Sequence, residues 1–277
     1  MSATNVQPST LAQRRNLQLL FSRRWWKTTI LAILAIGAMV RLGIWQLDRL
    51  EQRRLFNARV QEQLDQPMLE LKADALGADL EAMEYREAHV TGEYEHSFEV
   101  ALRNQAHNNQ FGVHLITPLR IAGSDQAVLI DRGWIPYEDY ESGQWAEFAE
   151  SGQVEVRGRI RVSQTRPTIG FRSDPTPAPG EGPLRTWNML NVSRIAEMVP
   201  YSLLPVYIQQ APDSAWTAMP YRSLPEIELT EGSHLGYAVQ WFTFALILGI
   251  GYPVYVYRQQ IEMAGKVQSS SQPTFQH

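Results

Sequence analysis

The chain has 277 residues, a formal net charge of −4, 19% charged and 44% hydrophobic residues, and no cysteine. That balance excludes a disordered, collagen-like or coiled-coil chain. The missing cysteine excludes a disulfide framework, a thiolate nucleophile, cysteine-held zinc or iron–sulfur clusters and a thiolate copper shuttle, so any metal must use His, Met, carboxylate or backbone ligands.

Residues 1–27 form a basic tail: Arg14, Arg15, Arg23, Arg24 and Lys27 stand there without an acid. Residues 28–47 follow as a 20-residue apolar run whose only charge is Arg41. About 20 residues at ~1.5 Å rise cross a hydrocarbon core of ~30 Å, so the run reads as a transmembrane helix. The flank after it carries Asp48, Arg49, Glu51, Arg53 and Arg54 and no small-residue cleavage site, which favours a retained anchor over a signal peptide. A charge inside a span is costly. Arg41 therefore either meets an anionic ligand or snorkels towards lipid phosphate.

From Asp48 the helical period continues through Leu50, Leu55, Val60 and Leu64, predicting a stalk that Pro67 stops. From Tyr85 the period becomes two. Strands are predicted at 85–94, 98–103, 111–121, 127–134, 154–162, 184–190 and 205–209, with a turn at Gly123-Ser124-Asp125. Asn191 to Val199 reads as a short capped helix, and Ser173 to Pro183 as a Pro- and Gly-rich loop. The fold class is thus a membrane protein with two transmembrane helices and an intervening α+β domain, residues 48–235, built on a mainly antiparallel sheet or small barrel that closes its edges. This domain holds 17 basic and 28 acidic residues, net −11, which disfavours nucleic acid as a partner.

Residues 236–257 are 22 residues without a charge and form the second span. The tail 258–277 carries Arg258 and Lys266 against Glu262. The basic flanks place both termini inside. This gives a multi-pass protein of the bacterial inner membrane with cytoplasmic termini and a periplasmic domain. An Arg-rich, acid-free start also suits a mitochondrial presequence, with the domain in the intermembrane space. Trp25, Trp26, Trp45, Tyr252, Tyr255 and Tyr257 mark the interfaces, and Pro253 loosens the last turn.

No G-x-S-x-G, H-E-x-x-H, P-loop or dinucleotide G-x-G-x-x-G motif occurs. His89 and His96, like His107 and His114, are seven apart, an odd offset that would put partners on opposite strand faces. They read as solvated histidines. His234 opens the second span with Tyr237, Ala238 and Trp241 on its helical face. From position alone it is either an interfacial polar residue in an aromatic belt or an axial ligand to haem iron. Arg132, Trp134 and the Pro turn after them suggest a packed corner or a contact surface.

Taken together, four stretches resemble the Surfeit locus family of cytochrome c oxidase assembly factors, over nearly the whole chain. They are Gly43-Ile44-Trp45-Gln46-Leu47-Asp48-Arg49, Arg132-Gly133-Trp134-Ile135-Pro136, Trp187-Asn188 through Ile195-Ala196 before Pro205-Val206-Tyr207, and His234-Leu235-Gly236-Tyr237-Ala238-Val239-Gln240-Trp241-Phe242. The resemblance implies a non-catalytic inner-membrane chaperone of respiratory-chain biogenesis, acting on the haem a step of oxidase subunit I. It implies His234 as haem a ligand and Trp241 as a lining residue. Gln240 stands where some members have Thr, a change in the polar lining. The mechanism expected is an open cleft between the spans, His234 on the iron, and Arg41 or Trp45 steadying the edge of the haem. The competing expectation is a haem-free scaffold that grips subunit I or other assembly factors through Trp45, Arg132 and Trp134. A sensor has only the short inner tail to signal with, and a haem-modifying enzyme lacks an assembled motif.

Overall fold

The structure, a computed structural model, describes residues 19–72, 77–143, 145–166, 174–175 and 184–270. Arg14, Arg15 and most of the Ser173 to Pro183 loop lie outside them. The chain divides into two compact units, Met1–Asn57 with Leu229–His277, and Ala58–Glu228.

Among the described residues, the first unit consists mainly of two long helices, the first of which runs on into the second unit. Helix α1, Trp26–Leu64, has 39 residues, or about 58 Å at ~1.5 Å per residue. It runs the apolar segment and the predicted stalk as one element, because neither Gly nor Pro interrupts the helical period before Pro67 except Gly37 and Gly43. Helix α4, His234–Ser270, contains Pro253. Both are long and apolar enough to cross a membrane by length and composition. Most of their large side chains face outward: Leu31, Leu34, Leu246, Ile247 and Ile250 are each at least 60% exposed.

The helices pack antiparallel through small residues. A Cβ added at Gly43 would lie 2.8 Å from the Phe242 ring, so only glycine lets that ring sit on the α1 backbone. At the inner end the Tyr252 hydroxyl lies 2.8 Å from both the Thr28 and Thr29 hydroxyls, and Trp25 meets Tyr255 edge to face. Those bonds satisfy hydroxyl groups that hydrocarbon would otherwise leave bare.

Among the described residues the second unit holds eight strands: β1 (Leu69–Glu70), β2 (Glu87–Tyr94), β3 (Val100–His107), β4 (Gln110–Ile121), β5 (Gln126–Pro136), β6 (Gln153–Val162), β7 (Thr186–Trp187) and β8 (Ser202–Gln210). Two short helices, α2 (Tyr137–Ser142) and α3 (Val192–Ala196), lie between them in sequence. The sheet order is β1-β2-β6-β8-β5-β4-β3-β7, and β2 also pairs with β4. That extra pairing closes a five-stranded barrel of β2, β6, β8, β5 and β4. The ladders are antiparallel except β5 with β8, β1 with β2 and β3 with β7.

Val90, Leu119, Ile121, Val128, Ile130, Val156, Ile160, Val206 and Ile208 come from all five strands and fill the barrel. The next residues along pack outward: Leu129 and Tyr207 join Val100, Ile116, Trp187 and Ile195, so α3 covers the outside of the wall. Strand β5 is therefore buried on both faces, with apolar residues on either side of the buried Asp131 and Arg132 rather than an alternation.

Asn108 and Asn109 have φ of 48° and 64° and make the two-residue turn that joins β3 to β4. Left-handed conformers at both positions match the twist of a hairpin, and Asn tolerates them. This turn carries β3 to His107, past the predicted end at Arg103. The strand predicted at 184–190 shrinks to Thr186–Trp187, because Asp174 takes the backbone N–H groups of Asn188 and Met189 at 2.6 and 3.1 Å. Helix α3 is shorter than predicted and starts as expected: the Asn191 side chain accepts from Arg194 N at 3.2 Å.

Candidate functional site

His234 begins α4 at the end of the hairpin opposite Tyr252. Its Nδ1 lies 2.8 Å from the Gln46 side-chain oxygen on α1. The amide oxygen can only accept, so Nδ1 is the donor, and in the neutral ring that leaves Nε2 as the nitrogen able to bind a metal. A carbonyl-type acceptor behind the ring fixes the tautomer and orientation that a metal-ligating imidazole needs. Just outside, Arg54 makes a bidentate pair with Glu231 at 2.8 and 2.9 Å, and Arg53 and Asn57 donate to the Thr230 carbonyl at 3.0 and 3.2 Å. These contacts tie the segment preceding His234 to α1.

Arg41 and Trp45 are four apart on α1 and share a shallow hollow of about 350 Å³ with Leu42. Among the described residues no acid pairs with Arg41. Trp45 is 41% exposed and carries the Arg49 guanidinium 5.7 Å from its ring centroid. Trp241, two turns along α4, packs edge-on against Phe244. Between the two helices the Phe242 ring packs directly over Gly43.

Arg132 and Trp134 are corrected outright as a contact surface, since they are 0% and 2% exposed. Arg132 Nη1 donates to Glu99 at 2.8 Å and Nη2 to Glu150 at 3.0 Å and to the Phe148 carbonyl. Glu99 also accepts from Thr117 at 2.5 Å and contacts His96 Nδ1 at 3.3 Å, while Arg222 shares Glu150 at 3.0 Å. Trp134 lies over Gly112, where a Cβ would sit 2.6 Å from the indole. His107, Trp134 and Tyr221 form a three-ring cluster: His107 stacks on Tyr221 and tilts against Trp134, with ring centroids 5.2 and 5.3 Å away, and the two larger rings are 6.2 Å apart. Two further histidines hold carboxylates: His89 Nδ1 is 2.9 Å from Glu70, and His114 Nδ1 is 2.9 Å from Asp131. These four histidines, three on strands and His96 in the turn before β3, are thus engaged rather than solvated. Sequence reading missed Gln46, Glu99 and the His114–Asp131 pair, because each partner stands 17 or more residues away along the chain.

Two long apolar helices enclosing, in sequence, a closed mixed β-barrel define a class of membrane-associated protein with its largest domain outside the apolar segments. The model of the SURF1 family matches residues 33–246, and the chain belongs to that family. It is similar to a SURF1-like protein of Caenorhabditis briggsae, 26% identical over 242 residues, covering 80% of this chain and 73% of the relative. A SURF1-like protein of Rickettsia felis is 25% identical over 234 residues, covering 83% and 96% of the two chains. Surfeit locus protein 1 of Homo sapiens is 22% identical over 233 residues, covering 78% and 72%.

Proposed function

We propose that this protein is an assembly factor for haem-copper cytochrome c oxidase, without enzymatic activity of its own, that helps haem a reach subunit I. It acts as a two-span protein of the bacterial inner membrane with both termini on the cytoplasmic side. The observation that carries the reading is the His234–Gln46 hydrogen bond of 2.8 Å at the outer mouth of the hairpin. The donor set fits a single-imidazole haem ligand: with Gln46 engaged at Nδ1, Nε2 of His234 is the free ring nitrogen. His234 would hold the iron of a bound haem through Nε2. Arg41 and Trp45 offer a cation and an aromatic face in the same leaflet, suited to acidic and macrocyclic groups respectively. One neutral ligand holds weakly, and release then requires only an acceptor with stronger ligation.

The test is the visible spectrum of the full-length protein purified from membranes of cells making haem a. Wild type is expected to carry haem absorption and His234→Ala to lose it. Gln46→Leu is expected to weaken binding about 10-fold or more, as loss of an orienting partner does at metal-bound histidines. Unchanged haem content in His234→Ala would remove the residue from the mechanism.

A further inference from the structure

The His114–Asp131 pair stands at the edge of a polar cavity of about 270 Å³ in the β-domain, lined also by Arg103, Arg161, Asn188 and Tyr207. Two strand irregularities fall there. The β3–β4 register shifts between Leu102 and Gln105, where Asn104 has a φ of 61°, and the β4–β5 register shifts between Leu115 and Ile116. Bulges of this kind re-aim side chains and gather next to binding sites.

The polar groups at the cavity are unevenly satisfied. Asp131 holds the His114 Nδ1 proton at 2.9 Å and accepts the Gly133 N–H at 3.2 Å. Glu84 takes Arg161 Nε at 3.2 Å. The Asn188 amide is spent on Asp174 and Asn104, at 2.8 and 3.4 Å. So the carboxylates at this site already have protein donors. The cationic donors do not. Among the described residues, the terminal amino groups of Arg161, the Arg103 guanidinium and His114 Nε2 have no protein acceptor. Tyr207, with burial pushing its pKa up to about 12, stays neutral and adds no negative charge.

We propose that this cavity is a binding site for the carboxylate or phosphate group of a small molecule, held by the His114 imidazolium with Arg103 and Arg161. Protonation turns Nε2 from an acceptor into a donor, so occupancy is tied to the charge of His114. Burial alone would lower the His114 pKa, but the charge of Asp131 and its hydrogen bond outweigh that and raise it, favouring the imidazolium. A metal ion is the poorer occupant: among the described residues no group of three His, Asp or Glu side chains converges to hold one. The site is independent of haem ligation at His234.

The experiment uses the full chain in detergent, with sulfate and acetate as tetrahedral and planar probes that stay charged throughout. Calorimetry is run from about pH 6 to 8.5, and the His114 ring resonances are followed by NMR. Saturable binding that weakens about tenfold per pH unit above the His114 midpoint is expected, and a saturating probe should shift that midpoint upward. Preference for sulfate assigns a phosphate-bearing ligand, and preference for acetate a carboxylate. His114→Gln should abolish binding. Asp131→Asn should move its pH dependence to lower pH. A His114 midpoint that does not move with either probe, or binding that ignores pH, overturns the proposal on the wild-type protein alone, whether or not the variants fold.

Discussion

Replacing Arg132 by Met tests whether the buried ion network holds the barrel wall in place. The side chain is fully buried, and its guanidinium serves Glu99 at 2.8 Å, Glu150 at 3.0 Å and the Phe148 carbonyl, 4.9 Å from the Tyr94 ring centroid. Met keeps much of the volume and removes the charge. Glu150 retains Arg222 and is 20% exposed, so it rehydrates. Glu99, at 3% exposure, keeps only Thr117 and His96. Removing one partner of a buried pair costs about 3–5 kcal/mol, mainly because the other charge is stranded. Urea unfolding of the full chain in detergent, followed by tryptophan fluorescence, is expected to show a loss of that size. The double variant Glu99→Gln with Arg132→Met should recover about 1–3 kcal/mol of it, since the stranded charge is gone. A single variant costing under about 1 kcal/mol, or a double variant no better than the sum of the singles, would refute this account of the network.

Two further outcomes are expected. Gly133 has a φ of 120°, and a Cβ there would lie 2.5 Å from the Tyr221 carbonyl oxygen, so Gly133→Ala should cost about 1–3 kcal/mol in the same assay and break the Trp134–Tyr221 bridge. Stability should also fall as pH rises. The His96 pKa is raised by its hydrogen bond to Glu99, and that of His114 by Asp131 against the effect of burial. Raised folded-state values give stabilisation that is complete below the unfolded value near 6.5 and lost as pH climbs through the folded ones. Thermal melts across that window check the sign, and His114→Gln should flatten the slope.

How far the sequence could be read depended on how far apart the partners stand. The apolar runs of α1 and α4, the stalk period through Leu50, Val60 and Leu64, and the alternation of β2, β4 and β6 are local patterns, and the structure follows them. The barrel closure is not local. Nothing in Glu87–Tyr94 announces that Gly92 pairs with Ile121 on one side and Val154 on the other. Trp134 read as either a packed corner or a contact surface because its aromatic bulk is visible in sequence, whereas the glycine that makes room for it and decides for packing, Gly112, lies on the neighbouring strand. His234 was legible as a candidate from its place at the mouth of a span. Its partner was not, since Gln46 is 188 residues earlier and is one polar residue among several leaving the first helix.

The place of β8 in the sheet constrains how the molecule is made. It lies between β5 and β6, pairing parallel to one and antiparallel to the other, and it is the last strand along the chain. Until residues 202–210 have left the ribosome, the wall has a gap and both flanking edges are bare, while α1 has long since been available to the bilayer. Parallel partners so distant in sequence join slowly. The unfinished barrel therefore waits as a tethered, open sheet, and its exposed edges invite wrong pairing during that interval. Closure and delivery of the second apolar helix follow within a short stretch of translation, so the hairpin that carries His234 is completed only after the domain has become able to shut.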